Sequence, residues 1–492
     1  MCAFLLWSAV FLAYVPSLSG DFMLDDRFNI VENPTLDRPS RWPSLFYDPE
    51  AATSHRLLSR QFYRPGVSLY YGLINAVGGR NPFWYHLASV LVHASNAALV
   101  FLIGLSLLSG GRRLPAFLGA LLFALHPAQA GAVSYIGGAP TLLALGGSLA
   151  TFFLYARGRR AWAAAAFAAT LLFQESAAFL ALFLPAYDYL ERGPEGLDIR
   201  AAVRRWLPFL LILCVYVAAR SLVLGRFAQV RPWGGGWAGH ALLAVQGLWA
   251  DVGMAAWPVR IRHCFGFELD GGLVFSSAWK ALALACLPAA AWLGLRRRAA
   301  WALGLAWFVC ALLPVSNVIP LAQLAASRFL YLPLAGLAFC AVWALSRSRH
   351  WAPAAAAATL ALLAGLFSVD EQWSWDNEFA GDLRGYEAAP RDPCSRHGLA
   401  RHYLDLRKYG EVEALERDVL EAGGASETRA LAFERMGLVR MSQGRLREAE
   451  AYLRGALLCE PGSVSVPKLL ELIRERTAPA RRARPARRPS GA

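Results

Sequence analysis

Eleven apolar runs set the limits on what this chain can fold into. They lie at roughly 1–17, 86–108, 114–126, 136–156, 161–173, 175–190, 206–224, 276–295, 299–314, 328–345 and 352–369. Many approach the ~20 residues that a helix needs to cross a bilayer, more apolar length than a soluble core can bury. The balance of 56% hydrophobic against 17% charged residues excludes a mainly soluble domain. An all-α fold follows, a polytopic helical membrane domain of about eleven spans.

A net charge of +14 would suggest a nucleic-acid partner if it were clustered on a soluble surface. Here the arginines instead punctuate the apolar runs: Arg112 and Arg113, Arg157 to Arg160, Arg200 to Arg205, Arg296 to Arg298, Arg347 and Arg349. That is the placement of topology determinants, so these loops are read as cytoplasmic and no nucleic acid is expected. The segment 239–257 then reads as an interfacial or re-entrant helix, because a further crossing would carry Arg296 to the outer face. The first run reads as a retained anchor rather than a cleaved leader. Eight cysteines lack metal-binding spacing, and neither a metal site nor a disulfide framework is expected from them.

Charge is scarce on the opposite face and therefore informative. The outer loop 18–85 carries the pair Asp25 and Asp26, then Tyr63-Arg64-Pro65. By topology, His126 at a span end, Glu175 at a turn between short spans and Arg328 at the start of another reach the same face. Carboxylates and guanidiniums gathered at a membrane–water interface suit a reaction on an amphiphile with an anionic head group. A carboxylate can serve as general base while Arg holds a phosphate. Taken singly, Asp25 and Asp26 also fit a helix cap and His126-Pro127 a helix end. Glu175 is harder to place as bland, since ionisable groups at membrane depth are costly and usually paired.

The order of short motifs resembles the transmembrane and tetratricopeptide-repeat-containing glycosyltransferases. The residues are Asp25-Asp26, Asn33-Pro34, Tyr63-Arg64-Pro65, Asn81-Pro82, His93, His126-Pro127, Glu175, Pro314-Val315-Ser316-Asn317 and Arg328-Phe329-Leu330-Tyr331. The resemblance implies the C-type glycosyltransferase membrane fold and a lipid-linked sugar donor. The reaction it implies is transfer from a polyprenyl-phosphate sugar to a protein or glycan acceptor. It further implies that Asp25 or Asp26 is the catalytic base. Arg328 is read as the best partner for the donor phosphate, with Glu175, His126 and Arg64 as further donor-site candidates, and a divalent metal is left open. Positions that are polar in the family are neutral here at Gln129, Gly131, Ala139 and Thr141, and Gln174 and Ser327 also depart from its pattern. A catalytically degenerate membrane scaffold is therefore the alternative.

From Asp370 the chain turns polar, which divides it into a membrane domain 1–369, a tetratricopeptide region 370–476 and a basic tail 477–492 expected to be disordered. Residues 430–463 fit one repeat, 393–426 a degenerate one and 466–476 a closing helix. A helical-repeat groove usually takes a protein partner. The arginine- and alanine-rich usage points to a bacterial inner membrane, with the repeats on the periplasmic side; an endoplasmic reticulum membrane would give the same topology.

Overall fold

Each of the eleven apolar runs is helical in the computed structural model, which describes residues 2–55, 62–193, 198–225, 232–234, 236–259, 261, 271–390, 392–422 and 426–477. No strand occurs among the described residues. The basic tail beyond Thr477 lies outside them. The chain forms two compact units, Met1–Ala389 and Pro390–Ala492.

The first unit runs through α1 (Cys2–Tyr14), α2 (Pro65–Gly78), α3 (Pro82–Ile103), α4 (Arg113–Ala124), α5 (Ala130–Val133), α6 (Ala139–Ala156), α7 (Arg160–Leu171) and α8 (Leu180–Arg192). It continues with α9 (Ile199–Leu224), α10 (Trp237–Ala256), α11 (Gly271–Arg296), α12 (Trp301–Leu312), α13 (Tyr331–Arg347), α14 (Ala352–Gln372) and α15 (Glu378–Ala388). Seven helical segments are long and apolar enough to cross a membrane, or eight if the bent pair Arg113–Ala124 and Pro127–Val133 is one span. The remaining apolar runs form shorter helices. A helix such as α7, with 12 residues, rises about 18 Å, well short of a ~30 Å hydrocarbon core. The runs at 114–126, 161–173, 175–190 and 299–314 are short for this reason, and the first is broken at His126-Pro127. The segment 239–257 folds as α10 and is not one of the seven.

Helix contacts in this unit follow membrane rules, in which small residues let backbones approach. A Cβ on Gly336 of α13 would stand 2.4 Å from the Gly304 carbonyl oxygen of α12, and one on Gly304 would stand 2.5 Å from that of Gly336. Polar side chains then lock neighbouring helices. His93 of α3 meets the Tyr331 hydroxyl at 2.7 Å and the Ala124 carbonyl at 3.0 Å, and Asn96 donates to Tyr331 at 3.0 Å. Ser368 of α14 donates to the Tyr14 hydroxyl of α1 at 3.2 Å.

The arginine clusters meet at one end of the bundle. Arg112 donates to the Ser346 carbonyl at 2.5 Å, and Arg298 to those of Leu190 and Glu191 at 3.2 and 2.6 Å. Buried Asp188 takes Arg205 at 3.0 Å and the Tyr155 hydroxyl at 2.7 Å.

The second unit consists of α16 (Pro393–Asp405), α17 (Tyr409–Ala422), α18 (Ser426–Ser442), α19 (Leu446–Cys459) and α20 (Ser465–Thr477). Gly437 lets α18 close on Leu453 of α19, where a Cβ would meet the leucine side chain at 2.8 Å. Leu453, Ala456, Val466 and Ile473 form its small core. Glu416 is fully buried between His397 and Arg435. Cys394 is disulfide-bonded, and Cys2, Cys214, Cys286, Cys310, Cys340 and Cys459 are free.

Candidate functional site

The ends of α6 and α13 opposite the arginine clusters border a cavity. Pro140 and Gly137 stand at the start of α6, with Arg157 just past its end. Arg328 precedes α13, and Arg347 closes it. The cavity holds about 150 Å³ of water-accessible space, and its wall includes Asp25, Asn29, Arg64, Tyr71, Tyr135 and Arg328. The structure thus brings three of the expected residues, Asp25, Arg64 and Arg328, to one space.

Asp25 and Asp26 differ in environment although they are adjacent. Asp25 is exposed and faces the cavity. Asp26 is 1% exposed, and its Oδ2 accepts the Met23 amide at 3.1 Å while its own amide donates to the Met23 carbonyl at 2.9 Å. It closes a tight turn. Burial pushes the Asp26 carboxyl well above the usual carboxylate range, and the neighbouring Asp25 charge adds to this against the pull of the Met23 and Gly137 amides.

The residue ahead of this pair has an unusual backbone. Leu24 has φ +51°, a left-handed conformation that costs a non-glycine residue roughly 1–2 kcal/mol. Its side chain is 44% exposed, so packing does not account for the conformation. Its amide donates to Glu378 Oε1 at 2.9 Å.

Arg64 N-terminally flanks α2 and reaches Glu175 through two hydrogen bonds of 3.1 and 2.9 Å, a bidentate pair. Glu175 begins the short turn between α7 and α8. Burial alone would raise its pKa, but the Arg64 charge and hydrogen bonds outweigh that and hold the carboxyl below its ordinary 4.5. Phe62 lies against the Arg64 guanidinium, 4.4 Å from its centre. Arg328 donates to Gln323 Oε1 and, among the described residues, has no carboxylate at ion-pair distance. The cavity therefore holds one guanidinium in a bidentate ion pair and one that, among the described residues, is in none.

His126 is not part of this group. Its Nδ1 accepts the Ala128 amide at 3.2 Å and its Nε2 faces the Ala255 carbonyl at 3.2 Å, so both nitrogens serve the helix break. Other motif residues are local braces. Asn81 accepts the Phe83 amide at 3.0 Å and caps α3. Asn33 binds the Ala51 carbonyl at 3.2 Å, and Asn317, at φ +58°, binds that of Leu324 at 3.0 Å.

Sequence reasoning missed Tyr71, Tyr135 and Asn29, since nothing distinguishes neutral wall residues in a sequence rich in aromatics. Tyr135 stacks on Trp375 at 5.4 Å. The neutral positions line a compact wall. Gln129, Gly131, Ala139 and Thr141 are buried, and a Cβ on Gly131 would stand 2.2 Å from Ser327 Oγ. Two departures from the family pattern, at 131 and 327, thus lie against each other. Among the described residues no group of three His, Cys, Asp or Glu side chains could hold a metal ion. Among the described residues, Asp25 is the one carboxylate in the cavity wall, a poor donor set for a divalent metal.

No family model matches the chain, and no solved structure matches it. Curated relatives do. Protein O-mannosyl-transferase TMTC2 of Mus musculus is 38% identical over 141 residues, which are 28% of this chain and 16% of that protein. Protein O-mannosyl-transferase TMTC1 of Homo sapiens is 34% identical over 157 residues, 32% of this chain and 18% of that protein. Protein O-mannosyl-transferase F38B6.6 of Caenorhabditis elegans is 28% identical over 167 residues, 32% of this chain and 23% of that protein. The matched part spans less than a quarter of each relative. Over that part the chain is a homologue of proteins of the transmembrane and tetratricopeptide-repeat-containing glycosyltransferase family.

Proposed function

We propose that this chain is an integral-membrane glycosyltransferase. It moves a hexose from a polyprenyl-phosphate-linked donor to a hydroxyl of a protein or envelope-glycan acceptor. Mannose is the first sugar to test, because the homologues are named O-mannosyl-transferases. The observation that carries the reading is the meeting, in one cavity at the ends of apolar helices, of the exposed Asp25 carboxylate with the Arg328 guanidinium, which among the described residues has no carboxylate at ion-pair distance.

Asp25 accepts the proton of the acceptor hydroxyl as the acceptor oxygen bonds to the anomeric carbon. The bond from that carbon to the phosphate oxygen breaks, and its electron pair leaves with the polyprenyl phosphate. Arg328 faces the charge that grows on the phosphate, where a fixed cation in a water-poor site is most effective. Arg64 is held by Glu175 and shapes the wall, contributing less net charge. Asp26 holds the loop from beneath.

The repeat unit fits two tetratricopeptide pairs, α16 with α17 and α18 with α19, closed by α20, and would take a protein partner. The arginine-rich end of the bundle supports a cytoplasmic face, placing the cavity on the periplasmic or lumenal side.

A second reading rests on four neutral positions. Gln129, Gly131, Ala139 and Thr141 are buried and uncharged, so they supply no second set of ionisable groups of the kind the resemblance implies. A scaffold that recruits partners through its repeats needs none. The two readings separate when membranes carrying the wild-type chain receive a panel of labelled polyprenyl-phosphate hexoses and native envelope acceptors. The transferase yields labelled acceptor from at least one donor above membranes lacking the chain, whereas a scaffold yields none.

A further inference from the structure

The loop that carries Asp25 is fastened by a segment at the far end of the first unit. Just past α14, the Asp376 carbonyl accepts the Asp21 amide at 3.1 Å, and Glu378 Oε1 accepts the Leu24 amide at 2.9 Å across 354 residues of sequence. Trp375 stacks on Tyr135, a residue of the cavity wall. The strap 375–378 thus touches the base loop on both sides of Phe22-Met23 and backs the cavity wall.

Glu378 has an ordinary explanation as an acidic residue in the first turn of α15, where it favours the helix dipole. That does not explain Leu24. An exposed leucine in the left-handed region persists only where its surroundings hold it there, and the Leu24 amide is held by the Glu378 carboxylate. The next residue is the exposed Asp25, and the amides that follow, of Phe28 and Asn29, both donate to the Asp25 carbonyl at 3.1 and 2.9 Å. A change of backbone at Leu24 would therefore swing the carboxylate relative to Arg328 and unfasten the turn beyond it.

We propose that Glu378 is a positioning residue for Asp25: it holds Leu24 in its left-handed conformation and so aims the carboxylate into the cavity. The role of the carboxylate as base rests on the proposed transferase reading, but the conformational link does not. Glycine enters the left-handed region without steric cost, which gives a specific test. Glu378→Ala should lower kcat about tenfold to a hundredfold with little change in donor KM, as a misplaced catalytic group does. Glu378→Gln keeps an accepting oxygen and should stay near wild type. Leu24→Gly placed in the Glu378→Ala chain should restore most of the lost turnover, which a general folding defect would not permit.

Hydrogen exchange on the same purified full-length proteins reads the link without any sugar donor. Glu378→Ala should speed exchange of the Asp26, Phe28 and Asn29 amides, and Leu24→Gly should slow it again. If exchange in this loop is the same in Glu378→Ala as in wild type, or if Leu24→Gly restores neither exchange nor turnover, the proposal is overturned. A wild-type chain that is inactive with every donor, yet shows the exchange pattern, retains the link and loses the transferase reading.

Discussion

Asp25 and Asp26 are neighbours in sequence and opposites in setting, one open to the cavity and one closing a turn beneath it. An asparagine at 26 keeps an oxygen for the Met23 amide, so Asp26→Asn should retain transfer within a few-fold of wild type. Its stability should change with pH in a defined way. The folded-state pKa of Asp26 lies above 3.8, so its protonated form is favoured by folding and wild-type stability falls as pH rises from that value through the raised one. Thermal unfolding of detergent-solubilised protein should show that decline flattened in Asp26→Asn. Glu175 titrates in the opposite sense. Its folded-state pKa lies below 4.5, so the stability it contributes is complete above 4.5 and lost as pH falls through the lower value. Glu175→Gln should cost about 1 kcal/mol at pH 7, given the partial exposure of the pair, and the difference from wild type should shrink in acid. The charged members of the cavity were legible because charge is rare in this chain. That Glu175 would be spent on Arg64 was not, since the two lie 111 residues apart. Nor could spacing show that Asp25 and not Asp26 opens to the cavity, because the turn depends on Leu24 and on a partner near residue 378.

Among the elements, every apolar run became a helix, since hydrophobic length suffices to identify one. What length alone did not convey was where a helix stops short of a span. His126-Pro127 reads in sequence as either a site residue or a helix end. In the structure it is the break at which α4 turns by 53° into the next helical segment. The close approach of α12 and α13 was also hidden, because Gly304 and Gly336 are ordinary in a membrane sequence and only their opposition gives them a role. Gly336→Val should force the two backbones apart at a cost of about 1–3 kcal/mol or more, seen as a lowered unfolding temperature in detergent with Asp25 and Arg328 untouched. An unchanged unfolding temperature would mean that the helices do not pack at this pair.

At the scale of the whole membrane unit, charge is sorted by end. Arginine clusters and the Asp188 hub occupy one end, while Asp25, the Arg64–Glu175 pair and Arg328 occupy the other. The placement of arginines between the apolar runs was legible in the sequence, and from it Asp25, Glu175 and Arg328 were expected on the face opposite those clusters. The sequence did not disclose which motif residues act as braces. His93 and Tyr331 fasten helices inside the bundle, and Asn33, Asn81 and Asn317 shape loops, so a motif preserved for folding looks the same in sequence as one that lines a cavity. The central claim, that Asp25 is the base of a sugar transfer, is tested most directly by comparing wild type and Asp25→Asn at equal amounts in membranes, with a labelled polyprenyl-phosphate hexose that the wild type uses. Loss of a positioned general base should reduce transfer by about a hundredfold or more; transfer by Asp25→Asn at the wild-type rate would contradict the assignment.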